Sequence, residues 1–212
     1  MKSILIESQY FPSVAYFAAL YQAEEVLIEA NEWFEKRSYR NRCTILTANG
    51  DLDLTVPVHG ANKKILTQRI EIDNHEKWVN NHWRAVQSAY GKSPFFDFYA
   101  DGFESILKSE ETNLFSLNQR LLTICLKYLQ IDTKVILTTS FEKNPKVGIT
   151  DLRSALHPRN PYSELKWFNP ASYQQIFGKN FVPNLSILDL LFCTGPEALK
   201  VLKQSIVMLE NN

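Results

Sequence analysis

The chain has 212 residues, 45% hydrophobic and 12% aromatic, which is enough apolar mass for a packed core and too much for a disordered segment. Lysine plus arginine and aspartate plus glutamate both number 23, so no net field draws the protein to nucleic acid or an anionic membrane, and electrostatic recognition has to be local. The three cysteines (Cys43, Cys125, Cys193) are odd in number, widely spaced and without a CxxC pair, which argues against a disulfide framework or structural zinc and for a reducing, cytoplasmic setting.

The opening apolar run is cut by Glu7 and Ser8, too early for a signal-peptide core, and no later stretch approaches the ~18 apolar residues of a membrane span. Residues 3–6 read as a strand, "SQYFPS" as a turn, 14–23 as a helix without a breaker, and "EVLIEA" as a second strand. Strand, helix and strand within about thirty residues is the βαβ unit, whose parallel strands need such a crossover. Residues 42–58 form two β-type runs about Asn49-Gly50, the strongest hairpin signal in the chain, and "ILTQRIEID" (65–73) is a candidate further strand.

From Asn74 the period changes. Trp78, His82, Ala85 and Ala89 share a helical face beside Val79, Trp83, Val86 and Tyr90, and the helix should end at Gly91. A short aromatic helix is expected in "PFFDFYADGFESIL", an amphipathic one over 114–131, and an inner strand at "KVILTTS" (134–140). Four prolines between 141 and 172 mark a long loop or small excursion. Two short C-terminal helices follow, the first capped by Ser186 with Asp189 in its first turn, the second with capping-box spacing at Thr194-Gly-Pro-Glu197. The fold class is α/β in one domain (1–212), with a mainly parallel sheet started by the βαβ unit, an inserted hairpin and C-terminal helices; α+β is the alternative.

The loop joining the first strand to the first helix lies where a helix N-terminus favours an anion. Nucleotidylyltransferases place an H-x-G-H motif at such a step, but here the slot reads Ser13-Val-Ala-Tyr16 and lacks both imidazoles. Tyr10, Phe11, Tyr16 and Phe17 either line this loop or are core aromatics. In "RSYRNRC" (37–43), Arg40 and Arg42 stand two apart, so on an extended chain both guanidiniums face one way and suit a phosphate or carboxylate; the competing reading pairs Arg37 and its neighbours with Glu32 and Glu35.

His82 is a candidate general acid-base or a satisfied core histidine. His59, His75 and His157 sit beside Gly, Asn or Pro and read as loop residues, and with no HxxxH and no compact carboxylate cluster no metal site is expected. Asp151 and Arg153 form a local pair. Glycine-rich phosphate cradles and a GxSxG elbow are absent.

In order along nearly the whole chain, "QYFPSVAYFAAL", "RSYRNRCTI", "LTVPV", "W…H…AY…PFF…Y", "LNQRLL" and "FVPNLSILDLLFCTGPEAL" resemble the WbqC-like family of bacterial proteins. The resemblance implies a cytoplasmic protein whose relatives are associated with surface-polysaccharide loci, with activity unestablished. It also singles out Tyr10, Pro12, Tyr16, Phe17, Asn41, Arg42, Thr55, Pro57, Trp78, His82, Tyr90, Ser186 and Asp189. The chain departs from the family pattern in reading Glu29-Ala-Asn-Glu32 where many relatives carry an aspartate pair, and in lacking a Tyr-Ser-Gly segment between 141 and 172.

Two readings of function follow. One is a group-transfer enzyme acting on an activated sugar or nucleotide-linked substrate, with Tyr10, Tyr16, Arg37, Arg40, Asn41 and Arg42 holding a small anionic ligand and His82 catalytic. It requires Tyr10, Arg42 and His82 to converge on one cleft. The other is a non-catalytic binding or assembly protein, in which these side chains are buried apart or paired. Neither implies a nucleic-acid partner or membrane insertion, and no cofactor or oligomeric state is specified.

Overall fold

The computed structural model describes residues 3–208. The opening βαβ unit forms as expected: β1 (Ser3–Glu7), α1 (Val14–Tyr21) and β2 (Glu25–Glu29), with β1 and β2 parallel and in register from Ser3↔Glu25 to Glu7↔Glu29. Both strands are apolar runs buried on two faces, as parallel strands under helices must be. The α1 helix is apolar all round, with every residue from Val14 to Leu20 buried.

The hairpin is β3 (Arg42–Thr47) and β4 (Gly50–Thr55), antiparallel from Arg42↔Thr55 to Thr47↔Gly50, so its two-residue loop is Ala48-Asn49 and Gly50 resumes the strand at φ +100°. No strand spans 65–73. That stretch makes single bridges (Trp33↔Leu66, Val58↔Ile72, Glu71↔Asn113) around a 3-10 turn at Thr67–Arg69, because its neighbours are loops that offer no continuous edge.

Three helices follow, α2 (Trp78–Tyr90, closed at Gly91), α3 (Phe96–Leu107) and α4 (Leu114–Leu129), then β5 (Lys134–Leu137). Expected to lie inside the sheet, β5 is instead an edge strand with partly exposed residues, paired only with β2. The sheet is completed by β6 (Ile149–Asp151), three residues inside the proline-rich excursion, paired parallel to β1. Strand order is β5-β2-β1-β6.

The chain ends in α5 (Ile187–Thr194) and α6 (Ala198–Gln204). Ser186 caps α5 as expected. Thr194 makes no capping box; its hydroxyl donates back to the Leu190 carbonyl. Between the two helices, Gly195 has φ +53°, and a β-carbon there would overlap the Phe95 ring. Gly195→Ala is therefore expected to cost roughly 2 kcal/mol or more, read from the urea unfolding midpoint. A single hydrophobic cluster runs from Ile4 to Leu202, joining sheet, hairpin and helices.

Candidate functional site

Topology selects one place before any side chain is considered. From β1 the chain moves to β2 and β5 on one side, then returns to the other side through β6, so the strand order reverses between β1 and β6. In open parallel sheets, ligands bind outside the carboxyl ends of strands at such a point.

At the two central strands those ends are charged and buried, whereas Asp151 at the end of β6 and Leu137 at the end of β5 are exposed. Glu7 and Glu29, the last residues of β1 and β2, are register partners at 0% exposure. Glu29 accepts hydrogen bonds from Thr138 Oγ1 (2.7 Å) and the Asn31 N–H (2.9 Å), and pairs with Arg153 Nη1 at 3.0 Å. Arg153 also bonds Asp151 through Nε (2.9 Å) and Nη2 (2.7 Å) and lies 4.9 Å above the Phe141 ring. Those Arg153 hydrogen bonds outweigh burial and hold the Asp151 carboxyl below its ordinary range. Glu7 makes no ion pair among the described residues, although the Arg40 guanidinium is near enough to feel its charge; Glu7 accepts from Gln9 Nε2 (2.7 Å) and from the Ser154 N–H (2.9 Å), while Gln9 Oε1 is buried with no protein partner.

Beside them lies Glu32, whose carboxylate takes a bidentate grip from Arg40 Nε and Nη2, both at 2.7 Å. Arg40 Nη1 reaches Glu35 at 3.4 Å, and Glu35 also faces His157 Nε2 at 3.7 Å. Burial pushes the Glu32 carboxyl up, aided by the charges of Glu7 and Glu29 and opposed by Arg40. Four carboxyl groups thus pair with two guanidiniums and Glu7 with neither, an arrangement better suited to hydroxyl or amine groups than to a free anion.

The residues anticipated from sequence are distributed differently. Arg40 is turned inward to Glu32, whereas Arg42 is turned outward to Asp53 (3.0 Å), so the two do not share a face. The physical cause is a turn over 36–40, with Arg37 at φ +61°, which keeps the chain from being extended until Arg42. Arg37 is exposed. Asn41 donates from Nδ2 to the Val56 carbonyl (2.8 Å), stapling the approach of β3 to the end of β4.

Tyr10 and His82 do meet, with the hydroxyl 3.0 Å from Nδ1, but both are buried, and the Arg42 guanidinium pairs with Asp53 instead. The His82 ring also hydrogen-bonds the Thr55 backbone, and burial lowers its pKa to about 4. Tyr16 is a core aromatic whose hydroxyl donates to the Glu7 carbonyl at 3.1 Å. The N-terminus of α1 is occupied from within: Val14 N–H donates to the Leu185 carbonyl (3.0 Å) and Ala15 N–H to Asn184 Oδ1 (3.0 Å). Asp189 goes beyond a first-turn role, accepting from Tyr173 Oη (2.6 Å) and Gln175 Nε2 (2.8 Å) inside the protein.

Glu7, Glu29 and the reach of Arg153 to Glu29 were not anticipated. The available signal was that "SILIE" and "EVLIE" each end an apolar run in glutamate; in a parallel pair with matched ends, those two carboxyls must lie side by side.

Fold and site define an α/β protein with an inserted hairpin and a carboxylate-rich, largely buried side-chain cluster at the carboxyl edge of a four-stranded parallel sheet. The chain belongs to the WbqC-like protein family, whose sequence profile matches residues 7–163 and 159–201. It is similar to an uncharacterised protein of Mycobacterium tuberculosis, 30% identical over 221 residues that cover 93% of this chain and 95% of that one. No solved structure matches it. Among the described residues no helix is long and apolar enough to cross a membrane.

Proposed function

We propose that this chain is a cytoplasmic group-transfer enzyme that moves an activated sugar from a nucleotide-linked donor during surface-polysaccharide biosynthesis, with its acceptor seated at the carboxyl edge of β1, β2 and β6. The observation that carries this reading is Glu7, the buried last residue of β1 beside the strand-order reversal, which is in register with Glu29 of β2 and makes no ion pair among the described residues. An acceptor hydroxyl there attacks the sugar carbon, the bond from that carbon to the donor phosphate oxygen breaks with its electron pair on the oxygen, and the hydroxyl proton passes to Glu7. Glu7 takes this role in preference to His82, whose polar contacts are internal. The departing phosphate is assigned to the exposed Arg37 and to Arg42, whose pair with Asp53 is solvent-accessible and therefore weak. Entry requires the segment bearing Ser154 to lift from Glu7, the acceptor then replacing its hydrogen bond.

Calorimetric titration of a panel of nucleotide-sugars tests the donor class, with binding weakened at least tenfold in Arg37→Ala/Arg42→Ala. With a donor in hand, Glu7→Gln is expected to keep binding and lose turnover by about 10²-fold. Unchanged turnover removes Glu7 as the base. No binding by any nucleotide-sugar removes the donor class and favours a second reading, a non-catalytic binding or assembly protein, which is supported by the self-satisfied pairs Tyr10–His82 and Arg40–Glu32.

A further inference from the structure

We propose that His59, Asp73 and His75 form a binding site for a first-row divalent transition-metal ion, sharing no residue with the carboxylate cluster at the sheet edge. The site begins in a short ladder. After β4, residues 57–59 run antiparallel to 71–73: Asp73 N–H donates to the Pro57 carbonyl (2.9 Å), His59 N–H to the Glu71 carbonyl (2.9 Å), and Val58 bridges Ile72. On the other side, Ile72 N–H donates to the Thr112 carbonyl (2.8 Å). The backbone carrying His59 and Asp73 is thus pinned from two directions. Because side chains alternate along paired strands, the face opposite Val58 and Ile72 carries His59, Glu71 and Asp73 together. His75 joins them through a local turn in which its N–H donates to Asp73 Oδ1 at 3.1 Å.

The ligand atoms are already close. His75 Nδ1 is 2.9 Å and His59 Nε2 3.8 Å from Asp73 Oδ1, and one atom from each residue lies within 4.8 Å of the others. Bonds of ~2.1 Å in a tetrahedral site put neighbouring ligand atoms roughly 3.4 Å apart, so the two spacings to Asp73 bracket what an ion needs. Small rotations of exposed rings close the difference, since the His75 and His59 side chains are 89% and 49% exposed. Coordination through His75 Nδ1 shifts that ring's proton to Nε2, which is free to meet water.

Donor chemistry selects the class of ion. Two imidazoles and one carboxylate suit zinc, cobalt or nickel, whereas magnesium and calcium prefer all-oxygen shells. His59 and His75 border a depression of about 500 Å³ lined also by Glu71, Asn74 and Thr112, which leaves room for water in a fourth position. The expectation of loop histidines is right about their location, but these loops face each other across the ladder, and spacing along the sequence hides this.

Zinc titrated calorimetrically into tag-free, chelator-treated protein should bind at one ion per chain. His59→Ala and His75→Ala should each weaken binding at least tenfold, while Cys193→Ser, a half-buried thiol elsewhere, should leave it unchanged. Cobalt(II) should give the intense visible bands of a four- or five-coordinate site, lost in His59→Ala/His75→Ala. Absence of zinc binding at tenfold excess, or stoichiometric binding that survives the double substitution, overturns the proposal.

Discussion

Arg40→Ala is expected to cost about 3–5 kcal/mol of folding stability at pH 8, far more than loss of a surface ion pair. The Arg40 side chain is 2% exposed and supplies both hydrogen bonds to the Glu32 carboxylate, with Glu35 as a third contact. Removing it leaves a buried carboxyl beside Glu7 and Glu29, with only the influences that push its pKa up. The sign of the pH dependence follows: a carboxyl whose folded pKa exceeds its unfolded value adds stability below the unfolded pKa and loses it as pH rises through the folded one. The deficit of Arg40→Ala relative to the parent protein should therefore be largest at pH 8 and shrink towards pH 4–5, as read from urea unfolding at both ends. Adding Glu32→Gln should recover more than half of it, because the uncompensated charge is then gone. A deficit below about 1 kcal/mol, equal at both pH values, would show that Glu32 and Arg40 are effectively solvated.

Arg40 also shows why the architecture was more legible than the site. The βαβ unit, hairpin and long helices follow from hydrophobic period and turn chemistry, both local properties. By contrast, β6 has three residues, too few to carry a period, and is fixed only by pairing with β1. β5 lies at the edge rather than inside the sheet, a difference that an apolar run of that length does not encode. In "RSYRNRC" the inference of a shared face assumed an extended backbone, and a turn with Arg37 in the left-handed region reversed one of the two arginines.

The carboxylate cluster is half legible in the sequence. Glutamate at the end of both strands of a βαβ unit is visible in sequence, and parallel register places the two together. The partner of Glu29 is not visible, because Arg153 stands 124 positions away and arrives through a loop. Its sequence neighbour Asp151 explained that arginine fully, so nothing local called for a second carboxylate.

Acid is expected to loosen the protein through His82. Burial lowers the ring's pKa from the ordinary 6.5 to about 4, so the neutral form belongs to the folded state and the unfolded chain binds the proton more readily. The stability this contributes is fully present above pH 6.5 and is lost as pH falls towards 4, to a depth of about 3 kcal/mol at 1.36 kcal/mol per unit. Protonation also removes the lone pair through which Nδ1 accepts the Tyr10 hydroxyl, untying the loop after β1 from α2, while the Thr55 contact joins the same ring to the hairpin. In His82→Gln an uncharged amide keeps hydrogen-bonding capacity without titrating. It should be less stable than the parent by about 1–2 kcal/mol at pH 8, and the two unfolding midpoints should converge or cross between pH 6.5 and 4. Tyr10→Phe, by contrast, should retain the parent's acid slope, because burial rather than the hydroxyl sets the shift. Parallel midpoint curves for His82→Gln and the parent would mean that the ring stays accessible to protons in the folded state, and an NMR titration of the imidazole C–H resonance would then show a midpoint near 6.5.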